Sequence, residues 1–315
     1  MKYRHLGSSG LLVSEISLGS WLTYGNAVAD ETANRTLDLA YDLGVNFFDT
    51  ANVYNHGEAE KVVGKALKRH DRASYVLATK VYFPMSERPN DSGLSRKHVI
   101  ESANASLKRL GLDYVDILYC HRYDEETPVE ETLRAFDDLI RQGKVLYAGI
   151  SEWSAAQIEE AARIADRFLL NRFVVNQPMY NMLKRKIEDE IIPVSERNGI
   201  GQVVFSPLAE GILTGKYKNL KDIPADSRAG DKKANYFIKS KLTQEALDTV
   251  SKLKQVADEL GIPLSRMALA WILRQPNVAS ALVGASRPEQ IEENVKASGL
   301  QLPDDTLADI EDILQ

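Results

Sequence analysis

Gly44-Val45-Asn46-Phe47-Phe48-Asp49-Thr50-Ala51-Asn52-Val53-Tyr54-Asn55-His56-Gly57 is a short apolar strand that ends on a carboxylate. A loop carrying a tyrosine follows, and a helix opens at Gly57-Glu58-Ala59-Glu60. Taken alone, Asp49 has two readings. It caps a turn or the next helix, as aspartate often does, or something there needs a negative charge. The same punctuation recurs at Lys80 and His121, each at the end of an apolar run.

Outward from this stretch the chain alternates strands and helices. A hairpin over residues 3–13, turned by Gly7-Ser8-Ser9-Gly10, precedes a strand at Ile16–Gly19. Helical periodicity over Glu31–Leu43 puts Ala33, Leu37 and Ala40 on one face. Strands are expected at 45–49, Tyr75–Thr79, Val115–Tyr119, Leu146–Ile150, Phe173–Val175, Gln202–Phe205 and Ala281–Val283. Helices are expected at 58–69, Arg96–Leu110, Val129–Arg141, Ala155–Phe168, near 185–198, 243–260 and 264–274, and from Pro288 onward. Strands alternating with helices imply parallel pairing and right-handed crossovers. Eight such units without a linker suit one closed (β/α)8 barrel domain over 1–315 with an N-terminal β-hairpin; pattern alone also allows an open doubly wound sheet. Barrel active sites lie at the carboxyl ends of the strands. Here those ends carry Ser20, Asp49, Lys80, His121, Ser151, Asn176 with Gln177, Ser206, and Gly284 with Ser286, which implies one shared pocket.

Composition excludes several classes. The 315 residues are 44% apolar and 27% charged, with a net charge of −6, which disfavours nucleic acid as the main partner. One cysteine, Cys120, rules out a disulfide framework and a cysteine zinc site. The five histidines are scattered, without metal-ligand spacing. No run reaches a membrane span and Met1–His5 leads into no apolar segment, so a cytoplasmic protein is expected. Cys120 and His121 are strand neighbours facing opposite ways, so they form no nucleophile–base pair. A homo-oligomer is compatible with the sequence, which does not decide it.

Asp49, Tyr54, Lys80 and His121 converging at one barrel mouth would suit proton donation to a carbonyl oxygen as hydride reaches carbon. A phenol titrates near ~10, and a lysine ammonium beside it is expected to lower that value. Asp49 would hold the lysine charged, and His121 would orient the carbonyl. A Schiff-base aldolase built on Lys80 is disfavoured, because Asp49 and Tyr54 oppose a neutral amine.

Over essentially its whole length the chain resembles the aldo-keto reductase family, single-domain barrels that reduce aldehydes and ketones with NADPH. The resemblance rests on Gly44–Tyr54, Ala78-Thr79-Lys80, Leu110–His121, Ser206–Lys216 and Gly284–Asn294. Gly93–His98, Tyr114-Val115-Asp116 and Ser206-Pro207-Leu208-Ala209 are most similar to the branch containing voltage-gated potassium channel β-subunits and their bacterial relatives. The resemblance implies a catalytic tetrad of Asp49, Tyr54, Lys80 and His121, with Tyr54 the general acid. The channel subunits carry asparagine where this chain has His121, which favours a working reductase over an NADP(H)-holding redox sensor for a partner.

No Gly-x-Gly-x-x-Gly opens a helix after the first strand, so the usual dinucleotide fold is not indicated. Gly211–Lys216 is one residue short of a P-loop. By the resemblance, the loop Ser206, Pro207, Leu208, Ala209, Gly211 and Lys216 passes over the cofactor pyrophosphate. Residues 216–241 hold eight Lys or Arg against three Asp, a basic strap in an acidic chain. Ser286-Arg287-Pro288-Glu289 reads as a capping box with proline in the first turn, a monophosphate site. The resemblance assigns it the 2′-phosphate, with Gln290, Glu293 and Asn294 near the adenine and Arg228 assisting; this favours NADPH over NADH. It also places Ser151, Asn176 and Gln177 on the nicotinamide amide, Phe205 on its ring, and Ser20 and Trp21 beside cofactor and substrate. Glu152 stands where the channel subunits carry a basic residue. A small-molecule carbonyl substrate is expected, against a rim of Trp21, Tyr24, Tyr82, Tyr123 and Trp153 that suits aryl or medium-chain aldehydes.

Overall fold

A computed structural model describes residues 1–21, 30–225, 227–231 and 235–315. Two short antiparallel strands, β1 (Tyr3–His5) and β2 (Leu12–Ser14), form the N-terminal hairpin. Eight parallel strands follow: β3 (Ile16–Gly19), β4 (Phe47–Asp49), β5 (Val76–Val81), β6 (Val115–Cys120), β7 (Val145–Ile150), β8 (Phe173–Asn176), β9 (Gly201–Val204) and β10 (Val278–Gly284). They pair in chain order and β10 returns to β3, so the sheet is a closed barrel and the open alternative falls.

Helices Asp30–Asp42, Glu58–Leu67, Arg96–Leu110, Val129–Arg141, Ala155–Phe168 and Ile191–Arg197 connect successive barrel strands from β3 to β9. Gln244–Glu259 and Leu264–Leu273 lie between β9 and β10, and Pro288–Asn294 and Asp304–Leu314 close the chain. Three helices match the sequence reading end for end, and two of them carry side-chain caps. Ser95 accepts from the His98 N–H, and Ser154 with Gln157 forms a full capping box. The helix expected near 185–198 is shorter, because Pro193 lacks an N–H and fits only a first turn; the α-helix begins at Ile191. The segment from Pro288 is two helices, separated at Gly299, whose φ is +75°, and restarted after Pro303.

Period-two alternation sorts the strands. Phe47, Val76, Ala78, Ile117, Tyr119, Val175 and Val203 pack inside the barrel. Phe48, Leu77, Leu118, Cys120 and Ile150 face the helices. Leu6 and Val13 of the hairpin are fully buried in the interior cluster and plug one end of the barrel. Gly149 makes room for Tyr119: a Cβ there would stand 2.6 Å from both Tyr119 Cδ1 and Val175 Cγ1. The same alternation carries functional side chains inward, Asp49 two residues after Phe47, Lys80 two after Ala78, and His121 two after Tyr119. Among the described residues no helix is long and apolar enough to cross a membrane.

Candidate active site

Asp49 ends β4, Lys80 lies within β5 and His121 directly follows β6, so three neighbouring strands deliver three polar side chains to one level. The expected strand end at Thr79 is corrected here: β5 runs on to Val81. Tyr54 comes from the turn after β4 and reaches over them. The Lys80 ammonium uses all three of its donors. It pairs with Asp49 Oδ1, donates to the Thr50 carbonyl at 2.8 Å and reaches the Tyr54 hydroxyl at 3.2 Å. Gln177 Nε2 donates to the other Asp49 oxygen at 2.9 Å. Lys80 and Asp49 are 1% and 2% exposed, which makes this a buried ion pair rather than a cap. The Tyr54 and His121 rings meet edge-on with centroids 5.7 Å apart.

Burial opposes the Lys80 charge, yet Asp49, and Tyr54 after it, hold the ammonium above its ordinary range. The amine stays protonated, as the argument against a Schiff base requires. Burial pushes the Asp49 carboxyl up, against the pull of Lys80 and Gln177. For Tyr54 the structure corrects the expectation. Lys80 does pull the phenol down, but burial, aided by Asp49, outweighs it and the net shift is upward. Tyr54 is therefore a phenol that keeps its proton. Burial, then the charges of Lys80 and Arg122, hold His121 well below the usual histidine range, so its ring is neutral. His121 Nδ1 is buried and has no hydrogen-bond partner among the described residues.

These groups floor a cavity of about 1660 Å³ that Asp49, Tyr54, His121, Ser151, Gln177, Phe205, Ser206, Pro207, Leu208, Gly211 and Trp21 line. Lys216, Arg228, Gly284, Ser286, Arg287, Gln290, Glu293 and Asn294 continue the wall. Lys80 lies beneath the floor. Three of the nominated cofactor contacts do not reach the cavity. Ser20 is fully buried with its hydroxyl on Thr50 Oγ1 at 2.9 Å, and Ala209 packs in the outer core. Asn176 turns away and donates to Gln202 Oε1 at 2.9 Å.

The capping box at Ser286 does not form. Arg287, in extended conformation, is the N-cap of Pro288–Asn294, with no side-chain cap bond. The Ser286 N–H and hydroxyl instead converge on Gln290 Oε1, at 2.7 and 3.2 Å. With the N-cap at Arg287 rather than Ser286, the third helical position is Gln290 and no longer Glu289. The aromatic rim also changes. Trp21 lines the cavity, Tyr24 lies outside the described residues, and Tyr82, Tyr123 and Trp153 are not in the lining; Trp153 is buried against Tyr123 and Phe173. Phe83 and Arg122, which sequence reasoning missed, do line it. Both stand in loops just past the ends of β5 and β6, where strand alternation no longer assigns a face. Glu210 was missed as well. It lines the wall with one oxygen bonded to Ser206 and Lys241, in a loop where Ser206, Ala209 and Glu210 all take positive φ.

Comparison with known proteins matches residues 15–315 to the aldo/keto reductase family. The chain belongs to this family. It is 48% identical over 300 residues to an Arabidopsis thaliana protein named "Probable voltage-gated potassium channel subunit beta", covering 94% of this chain and 91% of the relative. An Oryza sativa subsp. japonica protein of the same name is 46% identical over 300 residues, with the same coverage. A Schizosaccharomyces pombe protein with the same subunit designation is 48% identical over 302 residues, covering 94% of this chain and 87% of the relative.

Proposed function

We propose that this aldo/keto reductase reduces aldehydes and ketones to alcohols with NADPH. The observation that carries the proposal is the protonated Tyr54 phenol, held on the Lys80–Asp49 ion pair beside a neutral histidine at a cavity floor. The wall fits the cofactor. The cavity exceeds the ~300–1,000 Å³ of ordinary ligand pockets, leaving room for a dinucleotide and a substrate together. Two Ser286 donors converge on a single oxygen, now that of Gln290, an arrangement a phosphate oxygen can replace, with Arg287 adjacent.

Bound NADPH supplies the hydride for the carbonyl carbon. Tyr54 gives its proton to the carbonyl oxygen, and Lys80 stabilises the phenolate left behind. Asp49 fixes Lys80, while Gln177 fixes Asp49. A neutral imidazole has one N–H, and an unpartnered lone pair costs less than an unpartnered N–H, which leaves the proton on His121 Nε2. That N–H donates to the substrate oxygen. The one cysteine, buried, suits work in a reducing cytoplasm.

The names of the relatives favour a second reading, an NADP(H)-binding subunit of a potassium channel with little turnover. NADPH consumption over a panel of carbonyl compounds, with NADPH binding followed by fluorescence, decides between them. Turnover that collapses in Tyr54→Phe while binding survives supports the reductase. Tight binding with negligible turnover on every carbonyl overturns it in favour of the subunit.

A further inference from the structure

Tyr54, Lys80, Asp49 and His121 account for proton transfer, and Lys216, Arg228 and Arg287 stand on the loops after β9 and β10 that face the cofactor. Among the described residues, one further cation lines the cavity, on the opposite side. Arg122 follows His121 immediately after β6. Its Nη1 donates to the His121 carbonyl and lies 3.5 Å from Ser151 Oγ. Its guanidinium carbon stands 5.5 Å from the centroid of the Phe83 ring, and Phe83 meets His121 edge-on at 4.9 Å.

Three other partly buried arginines, away from the cavity, are neutralised. Arg72 pairs with Asp116, Arg109 with Glu60, and Arg274 with Glu188 and Glu311. Arg122 has no carboxylate within ion-pair distance among the described residues, and its Nε and Nη2 make no hydrogen bond there. A guanidinium over an aromatic ring, with two donors unspent, presents the planar fork that matches a carboxylate. The position is adjacent to the reacting groups: the Arg122 charge is felt by both His121 and Tyr54. A positive charge in a cleft of a protein with net charge −6 also concentrates anions locally.

We propose that Arg122 determines substrate specificity by binding the carboxylate of an oxo acid whose carbonyl lies a few bonds away, over Tyr54 and His121. The proposal rests on the reductase reading. The carboxylate is unchanged in the reaction. Hydride adds to the carbonyl carbon, the Tyr54 proton adds to its oxygen, and NADPH, the reductant, becomes NADP+. The aryl or medium-chain aldehyde expectation is narrowed accordingly, because Phe83 and Trp21 remain while the other rim aromatics are withdrawn.

The test compares kcat/KM for 4-formylbenzoate and short ω-oxo acids with that for their methyl esters. The wild type is expected to prefer acid over ester. Arg122→Met is expected to cut that ratio about 10- to 100-fold, mainly through KM, and Arg122→Lys to restore part of it. The ester serves as the internal reference for the changed field at His121 and Tyr54. Added salt should weaken the preference. A wild-type ratio near one, or a variant that loses acid and ester turnover in equal measure, overturns the proposal; Arg122→Gln serves if Arg122→Met does not fold. Calorimetry of 4-methylbenzoate and 4-methylbenzamide on NADP+-loaded protein needs no turnover. Arg122-dependent binding of the benzoate alone would uphold the carboxylate site even if the reductase reading failed. Equal binding of both, or of neither, would sink it.

Discussion

The floor of the cavity and its wall are built in different ways. The floor residues Asp49, Lys80 and His121 sit on adjacent parallel strands, where register and period-two alternation decide position, and every donor of Lys80 is used. The wall after β9 and β10 is built from loops and the helix Pro288–Asn294, with strained backbone at Ser206, Ala209 and Glu210 and long cations at Lys216, Arg228 and Arg287. The ion pair and the histidine stand at rigid strand ends with Tyr54 on a turn above them, whereas loops and long side chains suit large flexible anions. Substitutions on the floor should therefore cost turnover and stability together, and those on the wall should cost affinity.

The largest effect is expected from Tyr54→Phe, with kcat down about 10²- to 10⁴-fold and NADPH affinity retained, read by steady-state consumption and fluorescence titration. An unchanged kcat would detach the floor from the chemistry. Lys80→Met should strand the Asp49 carboxylate and cost about 3–5 kcal/mol in denaturant unfolding. Adding Asp49→Asn should return much of that loss, and a double variant no more stable than the single one would break the ion-pair account. Gly149→Ala, one layer below, drives a Cβ into Tyr119 and Val175 and should cost about 1–3 kcal/mol. On the wall, Arg287→Ala should weaken NADPH about tenfold and NADH much less, with no change in melting temperature. Equal weakening of both cofactors would remove the phosphate assignment.

The smallest effect is a pH slope. His121 is held well below its ordinary value by burial, then by Lys80 and Arg122, and His98 is lowered by burial against Asp91. At such groups the unfolded chain binds more protons than the folded one once pH reaches the ordinary histidine range. Their contribution is therefore complete above about 6.5 and lost as pH falls below it. Melting temperature should drop between pH 7.5 and 5.5, and His121→Asn should flatten the drop. An unaltered slope in that variant would assign it to other groups.

Much of this was legible in the chain because strands and helices write their period into the sequence. The helices Arg96–Leu110 and Ala155–Phe168 announce themselves through Ser95, Ser154 and Gln157, local signals read over a few residues. The convergence of Asp49, Lys80 and His121 followed from eight polar strand ends on a barrel, since parallel pairing in chain order brings like ends together. Which of those ends face the cavity was not legible. Ser20 and Asn176 look equivalent to Ser151 and Gln177 along the chain, yet the first two turn to Thr50 and Gln202.

The sequence by itself determined the alternating strand–helix units, the family and the residues at the strand ends, because periodicity and strand order are properties of the chain; the β10–β3 pairing that closes the barrel is tertiary. Only the tertiary structure decided the charge states and the partners. Burial outweighs Lys80 at Tyr54, Gln290 takes the place expected of Glu289 at Ser286, and Arg122 has no carboxylate partner among the described residues. Desolvation and hydrogen-bond competition depend on what surrounds a group in space, and residues far apart in the chain supply those surroundings.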